Sequence, residues 1–388
     1  MAGVRVCAPK SSLLIGIAPR RLKEGFRRAP RRAFFATDGQ STPNRAASRV
    51  GPCATLEASA GESVFLKLAI WGAGAVGIGL ASALARPGER LRVLGRDPET
   101  LASLASHGIH RTGLFGEVEI APRQLQVETG TGSLVDDPPD WLLVCTKAFS
   151  SGDIASALAP IAEHLVERTA LVLCQNGWGN EAPFRSFWPE ARLFHARVIT
   201  GFHRRSPHAV EITAHASPLA FGSIFGLENG ALEELAERIA QGGIPAETTR
   251  DMRGVLWAKM LYNCALNPLG ALAGRRYGEL TKDRTTRRLI DEVVREIFRV
   301  LDAAEVTVAW PNADAYLATF YEELIPPTAA HESSMLQDLR AGRPTEIEAL
   351  GGAVERLAAE HAVETPVVSS LAALVRVAER AGGEGAAD

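Results

Sequence analysis

LKLAIWGAGAVGIG, residues Leu66 to Gly79, organises the reading of this 388-residue chain. Leu66, Leu68, Ala69, Ile70 and Trp71 make an apolar run about as long as one buried strand, and it stops at Gly72. Gly72, Gly74 and Gly77 then spell GxGxxG at the opening of an amphipathic segment, Ala75 to Ala85. Each glycine has its own task in a dinucleotide-binding turn: Gly72 for the tight reversal, Gly74 for close approach of the main chain to a pyrophosphate, Gly77 for packing of helix on strand. Gly72, Ala73, Gly74, Ala75, Val76 and Gly77 are therefore candidate cofactor contacts, with free N–H groups and the positive end of the helix dipole facing the phosphates. Glycine turns are common in loops. Here a strand precedes, a helix follows and a second strand, Arg90 to Leu94, arrives on schedule, which favours the dinucleotide reading.

The adenosine ribose would lie at the end of that second strand, at Gly95-Arg96-Asp97-Pro98-Glu99. An acid there would take the 2′-hydroxyl of NAD, and an arginine would accommodate the extra phosphate of NADP. Asp97 already has a structural task, because Asp at N-cap followed by Pro at N1 starts a helix. Arg96 is then the better ribose-side candidate and NADP the favoured cofactor; the plain alternative is a solvated surface arginine.

Composition removes several classes of function. The formal net charge is −3 with 22% charged residues, so nothing global points to nucleic acid. No apolar run reaches the roughly 18 residues of a membrane-spanning helix. Cys7, Cys53, Cys145, Cys174 and Cys264 form no CxxC pair and the nine histidines no ligand-spaced cluster, so no metal site is expected. Cys145 and Cys174 each close an apolar run, as small core residues of a reducing compartment do.

Residues 1–65 differ in kind from the rest of the chain. The first fifty contain nine arginines and two lysines against only Glu24 and Asp38. That is the composition of an organellar transit peptide, or of translated sequence upstream of the true start, or least of all of a basic nucleic-acid arm. On each reading the leader is expected to be disordered. The location is cytoplasmic, or mitochondrial or plastid if the leader is a transit peptide.

Residues 66–250 read as a Rossmann-type domain. Trp141 to Thr146 and Ala170 to Cys174 are buried strands that end at Lys147 and at Gln175-Asn176-Gly177. Ligands of open parallel sheets sit beyond the carboxyl ends of strands, so Lys147 and Asn176 are site candidates; a turn at Asn176-Gly177 and a surface lysine explain them about as well. Short apolar segments between Phe194 and Phe225 read as extra strands on the sheet edge. Leu232 to Ile239 comes next as a covering helix and Ala246 to Thr249 as a last strand.

Residues 251–381 change to helical period, and 382–388 read as a frayed tail. On the helix Asp251 to Leu266, Lys259, Asn263 and Asn267 stand at i, i+4 and i+8, on one face. Such a polar row is usually solvated, yet Asn is a poor helix former and two of them ask for a reason. Arg287 to Ala304 and Ala313 to Ile325 are further helices. Another opens at Pro344 and runs to about His361, where Glu346 and Glu348 suit the helix dipole and need no other role.

These motifs resemble the ketopantoate reductases (2-dehydropantoate 2-reductases) over roughly Leu66 to Val375. The resemblance rests on GAGAVG at Gly72, CTKA at Cys145, QNGWGNE at Gln175, WAKMLYNCALNPLGAL at Trp257 and SSMLQDLRAGRPTEIEALGG at Ser333, the last two being the most specific. It implies an α/β fold, with a Rossmann-type domain followed by an all-helical domain and catalysis in the cleft between them. It implies NADPH-dependent reduction of 2-dehydropantoate to (R)-pantoate, with Lys259 as general acid and Glu346 as the carboxylate working beside it. Asn263, Asn267 and Ser334 would hold the substrate, Lys147 and Asn176 would lie where nicotinamide meets substrate, and Arg96 would face the 2′-phosphate. His203 to Phe225 departs from the family pattern and leaves the substrate open to another branched 2-keto acid. A reading from another class is an NADP(H)-sensing regulatory protein without catalysis. Oligomeric state stays between monomer and homodimer.

Overall fold

The computed structural model describes residues 66–228 and 230–384, the side chains of 382–384 excepted. The expected leader and residues 385–388 of the expected tail lie outside the described residues. Among the described residues the chain forms β1 (Leu68–Trp71), β2 (Leu91–Leu94), β3 (Ile109–Gly113), β4 (Val118–Ile120), β5 (Leu125–Glu128), β6 (Trp141–Val144), β7 (Ala170–Leu173), β8 (Leu193–Arg197), β9 (Thr200–Ser206), β10 (Ala209–His215), β11 (Leu219–Gly222) and β12 (Ala246–Thr248).

The main sheet runs β12-β11-β8-β7-β6-β1-β2-β5, with every pair parallel except β11 with β8. β2, β6 and β7 are buried along their whole length; β6 and β7 read as unbroken apolar runs, while β2 carries Arg92, whose guanidinium donates to the Ser133 carbonyl at 2.8 Å. From β1 the chain builds outward to β2 and β5 on one side and to β6, β7 and β8 on the other. The C-terminal ends of β1 and β6 are therefore a topological switch point, where such sheets bind ligands. Separate apolar layers cover the two faces, one containing Ile78, Leu80 and Leu235, the other Ile154, Leu158 and Trp188.

β9 and β10 correct the expected edge strands. With β3 and β4 they form a second sheet, β4-β3-β10-β9, lying on the helix Ala75–Leu84, while β11 does join the main sheet beside β8. Phe202 on β9 sits where a Cβ on Gly79 would be, 2.4 Å from its ring atoms. Arg111 on β3 is 1% exposed and donates to the Gly242 carbonyl at 2.9 Å, fastening the small sheet to the end of the helix Ala231–Gln241.

The helical half opens with Asp251, whose carboxylate accepts from Gly254 N–H at 2.9 Å and caps a 22-residue helix, Met252–Ala273. That helix runs past the expected end at Leu266 and carries Pro268 inside it. It packs against Arg284–Ala303, Ser334–Arg340 and Pro366–Glu384 around a core that includes Trp257, Leu261 and Ile297. The last helix continues to Glu384, past the expected end at Ala381. Among the described residues no helix is long and apolar enough to cross a membrane.

Candidate active site

The glycine turn has the shape the motif requires. Gly72 has φ +119°, and a Cβ there would lie 2.8 Å from the backbone of Cys145 and Thr146. A Cβ at Gly77 would lie 1.8 Å from the Gly72 carbonyl oxygen. Around Gly74 such a Cβ would meet nothing within 4 Å, and the helix Ala75–Leu84 has no side-chain cap and no acid in its first turn. An open backbone face beside uncapped N–H groups fits a dinucleotide pyrophosphate. Gly77→Ala is expected to cost about 1–3 kcal/mol through overpacking and to weaken NADPH binding. Thermal denaturation and a fluorescence titration would check both; an unchanged melting temperature would mean that the turn gives way freely.

Four of the expected residues come together beyond β6 and β7. Lys259, partly buried on the long helix, donates to the Asn176 Oδ1 and, at 2.6 Å, to the Val198 carbonyl. The Nδ2 of the same carboxamide donates to Glu346 Oε2 at 3.0 Å, and Ala148 N–H donates to Glu346 Oε1 at 3.1 Å. Asn176 thus joins amine to carboxylate, with its oxygen toward the cation and its nitrogen toward the anion. Lys147 Nζ lies 3.8 Å from Glu346 and donates to Asp338 at 2.7 Å. Burial pushes the Lys259 ammonium down from 10.5 to about 8; Glu346 opposes that shift and Arg197 adds to it.

The backbone explains the convergence. Gly177 has φ +96°, and a Cβ on it would lie 2.3 Å from the Ala349 carbonyl oxygen, to which Trp178 N–H donates at 2.9 Å. Trp178 also packs on Trp257, with ring centroids 5.2 Å apart. Asn176-Gly177 is therefore a turn, as the plainer reading held, and it carries Asn176 to the helical half. Glu346 corrects its expected place: it precedes a 3-10 turn, Ile347–Ala349, and the helix begins only at Gly351. Its carboxylate is buried and aimed across the cleft instead of serving a helix dipole.

Asn263 lines the same narrow crevice as Lys259 and Asn176. Asn267, one turn further and 5% exposed, accepts from the Tyr277 hydroxyl at 2.7 Å. Ser334 is exposed on the first turn of its helix, while Ser333 beside it is the buried N-cap that accepts from Leu336 N–H at 3.0 Å. Arg96 is exposed, 3.9 Å from Asp153.

Two family models match the chain, "Ketopantoate reductase PanE/ApbA" over residues 68–224 and "Ketopantoate reductase PanE/ApbA C terminal" over 251–379. The chain belongs to the ketopantoate reductase family. A 2-dehydropantoate 2-reductase of Aquifex aeolicus is 33% identical over 317 residues, covering 81% of this chain and 97% of its own. One of Halobacterium salinarum is 27% identical, covering 82% and 100%. Among solved structures, a PanE/ApbA family ketopantoate reductase from Ralstonia eutropha matches with TM-score 0.71 at 27% identity, covering 82% of this chain and 99% of the other. D-mandelate dehydrogenase with NADH and anilino(oxo)acetate shares the fold, with TM-score 0.71 at 23% identity and the same coverage.

Several participants have no local sequence signal. Asp338, 4% exposed, is held between Lys147 and Arg343, the latter donating at 3.1 Å. The Val198 carbonyl and Ala148 N–H are backbone groups, identifiable only from the folded chain.

Proposed function

We propose that this chain reduces 2-dehydropantoate to (R)-pantoate with NADPH, a step toward pantothenate and coenzyme A. The observation that supports this most is the Asn176 carboxamide joining the Lys259 amine to the Glu346 carboxylate across the cleft. Gly72 to Gly77 would hold NADPH, with Arg96 for its 2′-phosphate, and the bound cofactor would supply hydride to the keto carbon.

An ammonium has three protons to donate. Lys259 gives one to Asn176 and one to Val198, which leaves the third for the substrate oxygen. As negative charge develops there, that proton stabilises it and then transfers, completing the alcohol. Glu346 favours the charged amine and Asn176 orients it. Lys147, with its charge matched by Asp338, borders the nicotinamide end. Asn263, Asn267 and Ser334 offer neutral polar groups to a keto acid, whose carboxylate needs hydrogen-bond donors; Tyr277 holds the Asn267 oxygen and so presents its Nδ2.

Purified protein incubated with NADPH and ketopantoate should oxidise the cofactor, followed as loss of absorbance, and yield pantoate. Turnover of other branched 2-keto acids with ketopantoate inert would move the substrate and keep the chemistry. NADPH binding with no turnover across such a panel would favour a sensing role.

A further inference from the structure

The second sheet brings a charged side chain to the adenosine end of the expected cofactor path. Arg204 lies on β9, and its side chain is exposed. Its Nη2 donates to the Thr100 Oγ1, and that hydroxyl in turn donates to Asp97 Oδ2. Thr100 N–H donates to the same carboxylate oxygen at 3.3 Å, in the helix cap expected from Asp-Pro. The Asp97 carboxylate is thus committed to its own helix. The Thr100 hydrogen bonds, with the Arg204 charge behind them, hold its carboxyl below the usual range. The Asp97 Oδ2 is thus taken, which leaves a ribose 2′-hydroxyl only Oδ1. Arg204 keeps the rest of its fork nearby: Nε reaches Ser206 O at 3.3 Å, Nη2 is 3.5 Å from Pro207 O, and Nη1 has no partner among the described residues. Arg96, next to Asp97 in the chain, lies 3.9 Å from Asp153, an exposed pair that salt and water screen easily.

We propose that Arg204, reaching from β9, is a second guanidinium for the 2′-phosphate of NADPH, beside Arg96, and that it sets the preference for NADPH over NADH. This rests on the reading of the glycine turn as the dinucleotide site. A guanidinium suits the task because its rigid fork can give two charge-assisted hydrogen bonds to one phosphate. β9 would then serve cofactor choice.

The test is binding, read without turnover, so that inert ketopantoate would count against the substrate reading alone. Dissociation constants for NADPH and NADH, and for the fragments 2′,5′-ADP and 5′-AMP, would be measured on the parent protein, Arg204→Ala, Arg204→Lys and Arg96→Ala. Arg204→Ala should weaken NADPH and 2′,5′-ADP by about tenfold or more, as loss of a charge-assisted phosphate contact would. NADH and 5′-AMP should stay within about twofold, a change too small to count as a lost contact. Arg204→Lys should fall between, because it keeps charge without the fork. Equal weakening of NADPH and NADH would show that Arg204 only braces the helix Pro98–His107 through Thr100, and would overturn the proposal. Unchanged NADPH affinity would overturn it as well.

Discussion

Lys259→Ala is expected to lower kcat by about a hundredfold to ten-thousandfold, the range that positioned general-acid help supplies, with NADPH affinity nearly intact. The amine donates to Asn176 and Val198 and makes no hydrogen bond to Gly72–Gly77, so its loss should leave the dinucleotide cradle unaltered. An effect on kcat with little on cofactor binding is the signature of an interaction made in the transition state. The parent enzyme should show the matching pH dependence. The acid must carry its proton, and burial has brought its pKa to about 8. Ketone reduction should therefore be flat below that pH and fall above it, while oxidation of the hydroxy acid, which needs the neutral amine, rises through the same window. Steady-state rates and an NADPH titration on the variant decide the matter. A variant that reduces substrate at the parental rate would place the acid elsewhere.

How much of this is legible in the sequence depends on where each signal resides. β1, β6 and β7 announce themselves because strands covered on both faces are apolar throughout, and the glycine turn sits where the first of them ends; β2 shows more weakly, since Arg92 interrupts it. The row Lys259, Asn263, Asn267 is legible because helical spacing is a local property. The second sheet is not: β3 reads IHRTG, with no clean alternation, β4 is only the three residues VEI, and Arg111 is buried there against partners remote in sequence, the Gly242 carbonyl and the Ser82 hydroxyl. β9 and β10 look like strands, but which sheet they join depends on β3, a partner the local pattern does not name. Glu346 is illegible for a different reason. An acid near a helix start already has a sufficient local explanation, and the contact that overrules it comes from Ala148 on the other side of the cleft.

Glu346→Gln should shift the alkaline fall in rate to a pH below that of the parent. Glu346 is the charge that raises the Lys259 pKa against desolvation, so neutralising it lets burial and Arg197 act unopposed. Hydrogen bonding pushes the same way. A glutamine can still accept from Ala148 N–H with its oxygen, but its amide nitrogen would then face Asn176 Nδ2, donor against donor. If Asn176 turns over to escape that clash, it presents an N–H where the Lys259 ammonium had an acceptor. Both routes disfavour the protonated amine; from a parental pKa of about 8, a fall of one unit, 1.36 kcal/mol, should lower the rate at pH 7 by about twofold and a fall of two units by about tenfold. Lys147 keeps Asp338 in the variant, so the contact between the two halves persists and the loss should not reflect an opened cleft. Glu346→Asp retains the charge and should keep the alkaline fall nearer the parental pH, at reduced rate. Profiles of kcat/KM between about pH 6 and 9, the range that brackets the shifted lysine of the free enzyme, would separate the cases. If the glutamine variant falls off at the parental pH, Glu346 is not the group that keeps the acid charged.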